Sequence, residues 1–249
     1  MASNILEATA DTILGGALTI AQPSNGYRFA IDSILLARFA DIRPRDRVLE
    51  LGAGCGVISI TIAATRHPRH ITALELHAEL VELIIRNAAL NNCHHVAALH
   101  ADLRHRMIRS LTPGSFDAVV ANPPYRAIAT GRASPNPARR AARGESHATL
   151  DAFIRAASRY CKDGGRAALV FTAARAAELI ATLQKHQFEP KRLRFVHPYV
   201  DRPATTILIE ARKRGGIEVQ IEPPLILYEV PGVYTAEARR LLLDPPSQL

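Results

Sequence analysis

Short apolar runs alternate along this chain with stretches of helical period. Runs over 48–51, 71–76, 96–99, 116–121, 166–171, 193–196 and 205–211 are brief and rich in Val, Ile, Leu and Ala, which predicts seven strands. Between them, 58–64, 79–91, 150–160 and 173–184 read as helices. In 79–91 the apolar residues Leu80, Leu83, Ile84 and Ala88 recur at helical spacing. Asp151 puts an acid in the first turn of 150–160, and Asp163-Gly164-Gly165 turns the chain into the strand at 166. Strands spaced by helices build βαβ units, so the pattern predicts an α/β fold: a seven-stranded, mostly parallel sheet with helices on both faces.

That core covers about 27–211, and three segments fall outside its pattern. Residues 12–30 hold Gly15-Gly16 and Asn25-Gly26 between apolar stretches, which predicts an N-terminal β-hairpin. Residues 126–147 form an irregular insertion rich in Arg, Ala and Pro. Residues 217–249 form a C-terminal extension with Pro223-Pro224, Pro231-Gly232 and a short helix near 236–243. No repeat is visible, and 249 residues suit a single domain over 1–249.

Composition narrows the classes. Hydrophobic residues make up 48% and charged residues 22%, which allows a sizeable core and excludes a disordered polyelectrolyte. Lys and Arg number 31 against 23 Asp and Glu, a formal charge of +8. That excess suits an anionic partner such as nucleic acid and equally suits an ordinary basic enzyme. Cys55, Cys93 and Cys161 form no CxxC pair, which disfavours a disulfide framework or zinc ribbon. His67, His70, His94, His95, His100 and His105 show no paired metal spacing and read as surface or loop residues, so no metal is expected. The N-terminus has no signal-peptide pattern and no apolar run approaches about 18 residues, so a cytoplasmic protein without a membrane partner is expected.

Candidate chemistry begins at Glu50-Leu51-Gly52-Ala53-Gly54-Cys55-Gly56, which ends one strand and opens a helix. Glycine there permits a tight turn and close approach of a ligand, and the following helix N-terminus favours anionic groups. The spacing is GxGxG rather than GxGxxG, which disfavours a dinucleotide site. Glu75 ends the next strand about 20 residues on, where a carboxylate can hold ribose hydroxyls. Asp102 follows the third strand, where it can meet an adenine amino group or cap a helix. Cys55 reads as a small packing residue. This ordered set resembles the class I (Rossmann-like) methyltransferases. The resemblance implies S-adenosylmethionine, with Gly52, Ala53 and Gly54 near its methionine moiety, Glu75 on the ribose and Asp102 by the adenine. Glu50, Gly56, Leu76, Leu103, Asn122 and Tyr27 complete the implied cofactor site.

The strand at 116–121 ends in Asn122-Pro123-Pro124-Tyr125. Ligands of open α/β sheets bind at the carboxyl ends of strands, so this segment and the glycine turn face one crevice. An aromatic amine is a poor nucleophile because its lone pair is delocalised. Two acceptors, Asn122 Oδ1 and the Pro123 carbonyl, can draw it towards tetrahedral geometry. Tyr125 offers a stacking face, and Pro123 and Pro124 fix the backbone. The motif resembles that of amino-methyltransferases acting on adenine N6, guanine N2 or glutamine Nδ.

Further segments narrow the target: 26–39 (GYRFAIDSILLARF), 131–147 (GRASPNPARRAARGESH), His197-Pro198, Ala211-Arg212-Lys213, Glu222-Pro223-Pro224-Leu225 and Tyr234-Thr235-Ala236-Glu237. Together they resemble bacterial tRNA adenine-N6 methyltransferases that modify the anticodon loop of a valine tRNA. That resemblance implies N6-methylation of an adenine, with tRNA as partner. Arg126, Arg132, Arg139, Arg140 and Arg143 lie in an acid-free stretch beside the motif, as a phosphate backbone requires; a solvated loop is the bland alternative. Tyr27 and Phe29 close the cofactor pocket or pack in the core, and Asp32 caps the first helix or lies near the methionine end. Rival readings are a glutamine methyltransferase of release factors, an rRNA guanine-N2 methyltransferase, a DNA adenine methyltransferase and an RNA-binding module that keeps the fold without turnover. The short stretch before Arg47 disfavours the first, the lack of an extra RNA- or DNA-reading domain the next two, and the intact motif the last.

Overall fold

The computed structural model describes residues 8–24, 28–124 and 148–245. The chain opens with β1 (Ala8–Ile13) and β2 (Leu18–Pro23), paired antiparallel with Ile13 opposite Leu18. Gly15 and Gly16 both adopt positive φ in the connecting turn. The hairpin therefore begins before residue 12 and turns at the first glycine pair; Asn25-Gly26 lies outside the described residues. Helix α1 (Ile31–Phe39) leads into the core, where β3 (Arg47–Leu51), α2 (Val57–Arg66), β4 (His70–Glu75), α3 (Ala78–Leu90) and β5 (Val96–His100) follow in βαβ order. Next come β6 (Phe116–Ala121), α4 (Leu150–Tyr160), β7 (Cys161–Thr172), α5 (Ala176–Lys185), β8 (Phe188–His197) and β9 (Thr206–Lys213).

The sheet runs β8-β9-β7-β6-β3-β4-β5, parallel throughout except for β9, which is antiparallel to both neighbours. These are the seven strands expected from the sequence. Both faces are covered, which is why the strands read as near-continuous apolar runs. Val48, Ala118, Val120 and Leu208 pack with Leu35, Ile60, Leu83 and Leu242 on one face. Their neighbours Leu49, Val119 and Ile209 pack with Phe153, Ile154 and Leu183 on the other. The period-two alternation of strand side chains thus splits the core between two helical layers.

Three details depart from expectation. β7 starts at Cys161 rather than 166: Cys161 pairs with Phe116 and Arg166 with Ala118, so 162–165 form a bulge against Asp117 inside the strand. The C-terminal extension widens the sheet, since β10 (Gln220–Ile221) and β11 (Leu225–Ile226) pair parallel with β8. Finally, of the histidines read as surface or loop residues, His70 opens β4 half-buried, while His100 closes β5 and is exposed. Beyond a small hairpin of β12 (Tyr228–Val230) and β13 (Val233–Tyr234), α6 (Ala236–Leu243) begins where the Thr235 hydroxyl accepts from Ala238 N at 3.2 Å. Arg38 of α1 donates to Leu241 O at 3.1 Å, which ties the extension to the core. No described helix is long and apolar enough to cross a membrane.

Candidate active site

Sheet register aligns the candidate residues. Leu51 of β3 is paired with Leu74 of β4 on one side and Ala121 of β6 on the other, and Glu75 of β4 with His100 of β5. The residues just past these ends, at Gly52, Asn122 and Ala101-Asp102, therefore lie along one edge of the sheet. After β3 the chain steps outward to β4 and β5, then returns to the other side of β3 with β6. That reversal opens a crevice between the carboxyl ends of β3 and β6, the usual ligand position in an open α/β sheet.

The glycine turn needs glycine for different reasons at different positions. Gly52 has φ +67°, and a Cβ there would stand 3.0 Å from the Phe153 ring. Gly54 has φ +57° with nothing within 4 Å of an added Cβ, so its side towards the crevice is open. Ala53 is buried and donates to Leu74 O at 3.0 Å, binding the turn to β4. Gly56, also at positive φ, is the residue from which α2 starts. Cys55 is buried and its thiol is pushed up to about 11 by burial, in keeping with packing and not nucleophilic use.

Two carboxylates brace this turn. Glu75 is buried; its Oε2 accepts from Gly54 N at 2.8 Å, and its Oε1 accepts from Leu76 N at 2.8 Å and His77 N at 3.0 Å. Glu75 thus latches the turn to the end of β4 and keeps a spare lone pair on Oε2. Glu50 is only 1% exposed. Its Oε2 accepts from Ser59 N at 3.0 Å and from the Ser59 hydroxyl, while the buried Oε1 has no hydrogen-bond partner among the described residues. Burial pushes the Glu50 carboxyl up to about 8; the Ser59 hydrogen bonds oppose that rise and Glu75 adds to it.

At the end of β5, Asp102 caps no helix. Its Oδ1 accepts from Arg104 N at 2.8 Å in a local turn, and Arg104 Nη2 reaches Oδ2 at 2.7 Å. Those hydrogen bonds hold the carboxyl below its usual range. Asp102 lines a hollow of about 610 Å³ together with Leu76, His100, Ala101, Met107 and Arg109. The Leu103 side chain is buried beneath it with Leu49, Leu51 and Leu74.

Past β6, Pro123 is buried and Pro124 exposed. Asn122 is half-buried and donates from Nδ2 to Ser33 Oγ of α1 at 3.2 Å. Asp32 does not cap α1: the capping position is Ala30, and Asp32 lies in the first turn, accepting from Thr206 Oγ1 at 3.5 Å. Phe29 packs against the core. Tyr27, Tyr125, Arg126, Arg132, Arg139, Arg140 and Arg143 lie outside the described residues.

Three contributors went unread in the sequence. Ser59 holds Glu50, Ser33 holds Asn122, and Asn87 of α3 donates to Cys55 O and Ala21 O, both at 2.8 Å. For Asn87 and Ser33 the available signal was a polar residue inside an apolar helical stripe.

The set of polar groups suits an adenosine-bearing ligand. Among the described residues, a buried carboxyl oxygen lacks a partner at Glu50 and nothing stands within 4 Å of an added Cβ at Gly54, and a hollow with a carboxylate lies two strands away.

The family model described as methyltransferase small domain matches residues 29–193. A tRNA1(Val) (adenine(37)-N6)-methyltransferase of Haemophilus influenzae (strain 86-028NP) is 27% identical over 229 residues, 90% of this chain and 94% of that protein. Its namesake from Aliivibrio salmonicida (strain LFI1238) is 25% identical over 188 residues, 74% and 77% of the two chains. Among solved structures, a predicted O-methyltransferase, protein Atu636 from Agrobacterium tumefaciens, aligns with TM-score 0.67 at 26% identity, covering 84% of this chain and 94% of the other. The M. jannaschii tRNA m1G37 methyltransferase aligns with TM-score 0.58 at 16% identity, over 86% and 59%, a likeness of fold.

Proposed function

This chain belongs to the methyltransferase small domain family, and from that premise we propose that it transfers a methyl group from S-adenosylmethionine to the exocyclic N6 of an adenine in the anticodon loop of a tRNA. The observation that carries this reading is the register of Leu51 with Ala121, which sets the glycine turn beside Asn122 across one crevice. The names of the relatives that align over most of the chain support the adenine and the tRNA.

Glu50, Gly52, Ala53, Gly54, Gly56, Glu75, Leu76, Asp102 and Leu103 make up the cofactor half in this reading. When bound there, S-adenosylmethionine supplies an already activated methyl group, so positioning and fixed dipoles account for most of the remaining rate. On the substrate half, Asn122 Oδ1 accepts one hydrogen of the amine and the Pro123 carbonyl accepts the other. The nitrogen lone pair is thereby localised and aimed at the crevice. No strong general base is required, because the proton is lost from a nitrogen made acidic by transfer. Tyr125 stacks on the adenine, which must first leave the loop stack. Arg126, Arg132, Arg139, Arg140 and Arg143 take the phosphates.

The test offers labelled cofactor with tRNA, rRNA and release factor in separate reactions, followed by nucleoside digestion. Label is expected in N6-methyladenosine from tRNA; label in protein or rRNA alone would refute the substrate. Asn122→Ala should keep cofactor affinity within about threefold and lose at least about 100-fold in turnover, the scale for removing one preorganised polar group from a reacting centre.

A further inference from the structure

We propose that Ser33 is a positioning residue for the transfer: by its hydrogen bond with Asn122 Nδ2, it holds that amide in place beside the crevice. The proposal rests on the proposed function for the identity of the amine, and on the α1–β6 contact for everything else. Among the buried residues of α1, Ile34, Leu35, Leu36 and Ala37 are apolar and Ser33 alone is polar. Ser33 is 4% exposed, and its Oγ stands 3.2 Å from Asn122 Nδ2. Its backbone is fixed as well, since Ser33 N donates to Ala30 O at 3.1 Å and Asp32 next to it meets Thr206 of β9.

The two ends of an amide differ in kind: nitrogen only donates and oxygen only accepts. With Nδ2 held by Ser33, Oδ1 projects to the other side as an acceptor. Rotation of the amide by half a turn would present Nδ2 donors to an amine that needs an acceptor, and the lone pair would stay in the ring. Without the hydroxyl, the amide loses the hydrogen bond from α1 that holds its plane. One ordinary hydrogen bond favours the held position of the amide by roughly tenfold.

Ser33→Ala should therefore lower kcat on tRNA about tenfold, with KM for tRNA and cofactor affinity changed less than about twofold. Ser33→Thr, which keeps the hydroxyl, should recover most of the rate. An independent readout uses cofactor-free protein. The side-chain NH2 pair of Asn122, recognised by its loss in Asn122→Ala, should shift and exchange faster in Ser33→Ala. Unchanged kcat with an unchanged NH2 pair would overturn the proposal, as would a faster Ser33→Ala enzyme, since the hydroxyl would then be holding the amide in the unproductive orientation. Wild-type protein inactive on tRNA would overturn the substrate reading instead, and the NH2 pair would still decide what Ser33 does.

Discussion

Glu50 shows what burial does to a single carboxyl beside the glycine turn. The fold raises its pKa to about 8, chiefly by desolvation, so folding favours the neutral carboxyl. Its contribution to stability is complete below the ordinary glutamate range, near 4.5, and is lost as pH rises through about 8. Wild-type protein should therefore lose stability between pH 5 and 8.5 by on the order of a few kcal/mol more than Glu50→Gln does. Urea denaturation at a series of pH values measures this; parallel curves for the two proteins would contradict it. Glu210, also raised by burial, titrates in the same direction in both proteins and cancels in the difference. Gly54 separates binding from folding. Its φ of +57° means that Gly54→Ala costs roughly 1–2 kcal/mol of backbone strain, yet the added methyl meets no atom among the described residues. A modest fall in Tm should accompany a loss of cofactor affinity of more than about tenfold by calorimetry. Intact affinity would place the cofactor away from this turn.

At the scale of elements, α3 fastens the hairpin and the glycine turn together. Asn87 is fully buried; its Nδ2 donates to Ala21 O and Cys55 O, and its Oδ1 accepts from Ala21 N at 2.8 Å. Asn91, one turn on, bonds Thr19 N and O in the same way. Asn87→Ala leaves three backbone groups buried and unpaired, at a cost of about 3 kcal/mol. Hydrogen exchange should quicken at Ile20 and Ala21 before the central strands respond; a change below about 0.5 kcal/mol would show that the clamp is redundant. The same helix shows what could be read in advance. Its apolar stripe at Leu83, Ile84 and Ala88 made the helix legible, because burial imposes a period. Asn87 sits inside that stripe, but its partners come from segments 32 and 66 residues away, which no local period encodes. Strands β3 to β6 were legible for the same reason, and with them the alignment of Gly52, Glu75, Asp102 and Asn122. The bulge at 162–165 and the pairing of β10 and β11 with β8 were not. Two-residue strands are too short to show alternation, and a bulge leaves the apolar run after it unchanged. Asp102 was read as a cap or a ligand because its nearest competitor, Arg104, acts through a turn rather than a helix.

Across the whole molecule, sheet order divides the edge into two halves. Glu75 and Asp102 lie on the β4–β5 side of the glycine turn, and Asn122 lies on the β6 side, towards β7, β9 and β8. The chain carries a formal charge of +8. Its acid-free run from Arg126 to Arg143 follows Asn122 in sequence, and in the proposed reading these arginines take the phosphates of the polyanion that delivers the adenine. Each phosphate neutralised by an arginine releases counterions, with a slope of about −0.7 to −0.9 in log affinity against log salt. Replacing Arg139, Arg140 and Arg143 together by Ala should therefore make the tRNA-binding slope shallower by about 2 to 3 and weaken binding most at low salt. Cofactor affinity, which the proposed reading assigns to the other half, should stay put. Titration of labelled tRNA at several salt concentrations measures the slope. An unchanged slope would mean that these arginines touch no phosphate and that the tRNA is held by another face of the molecule.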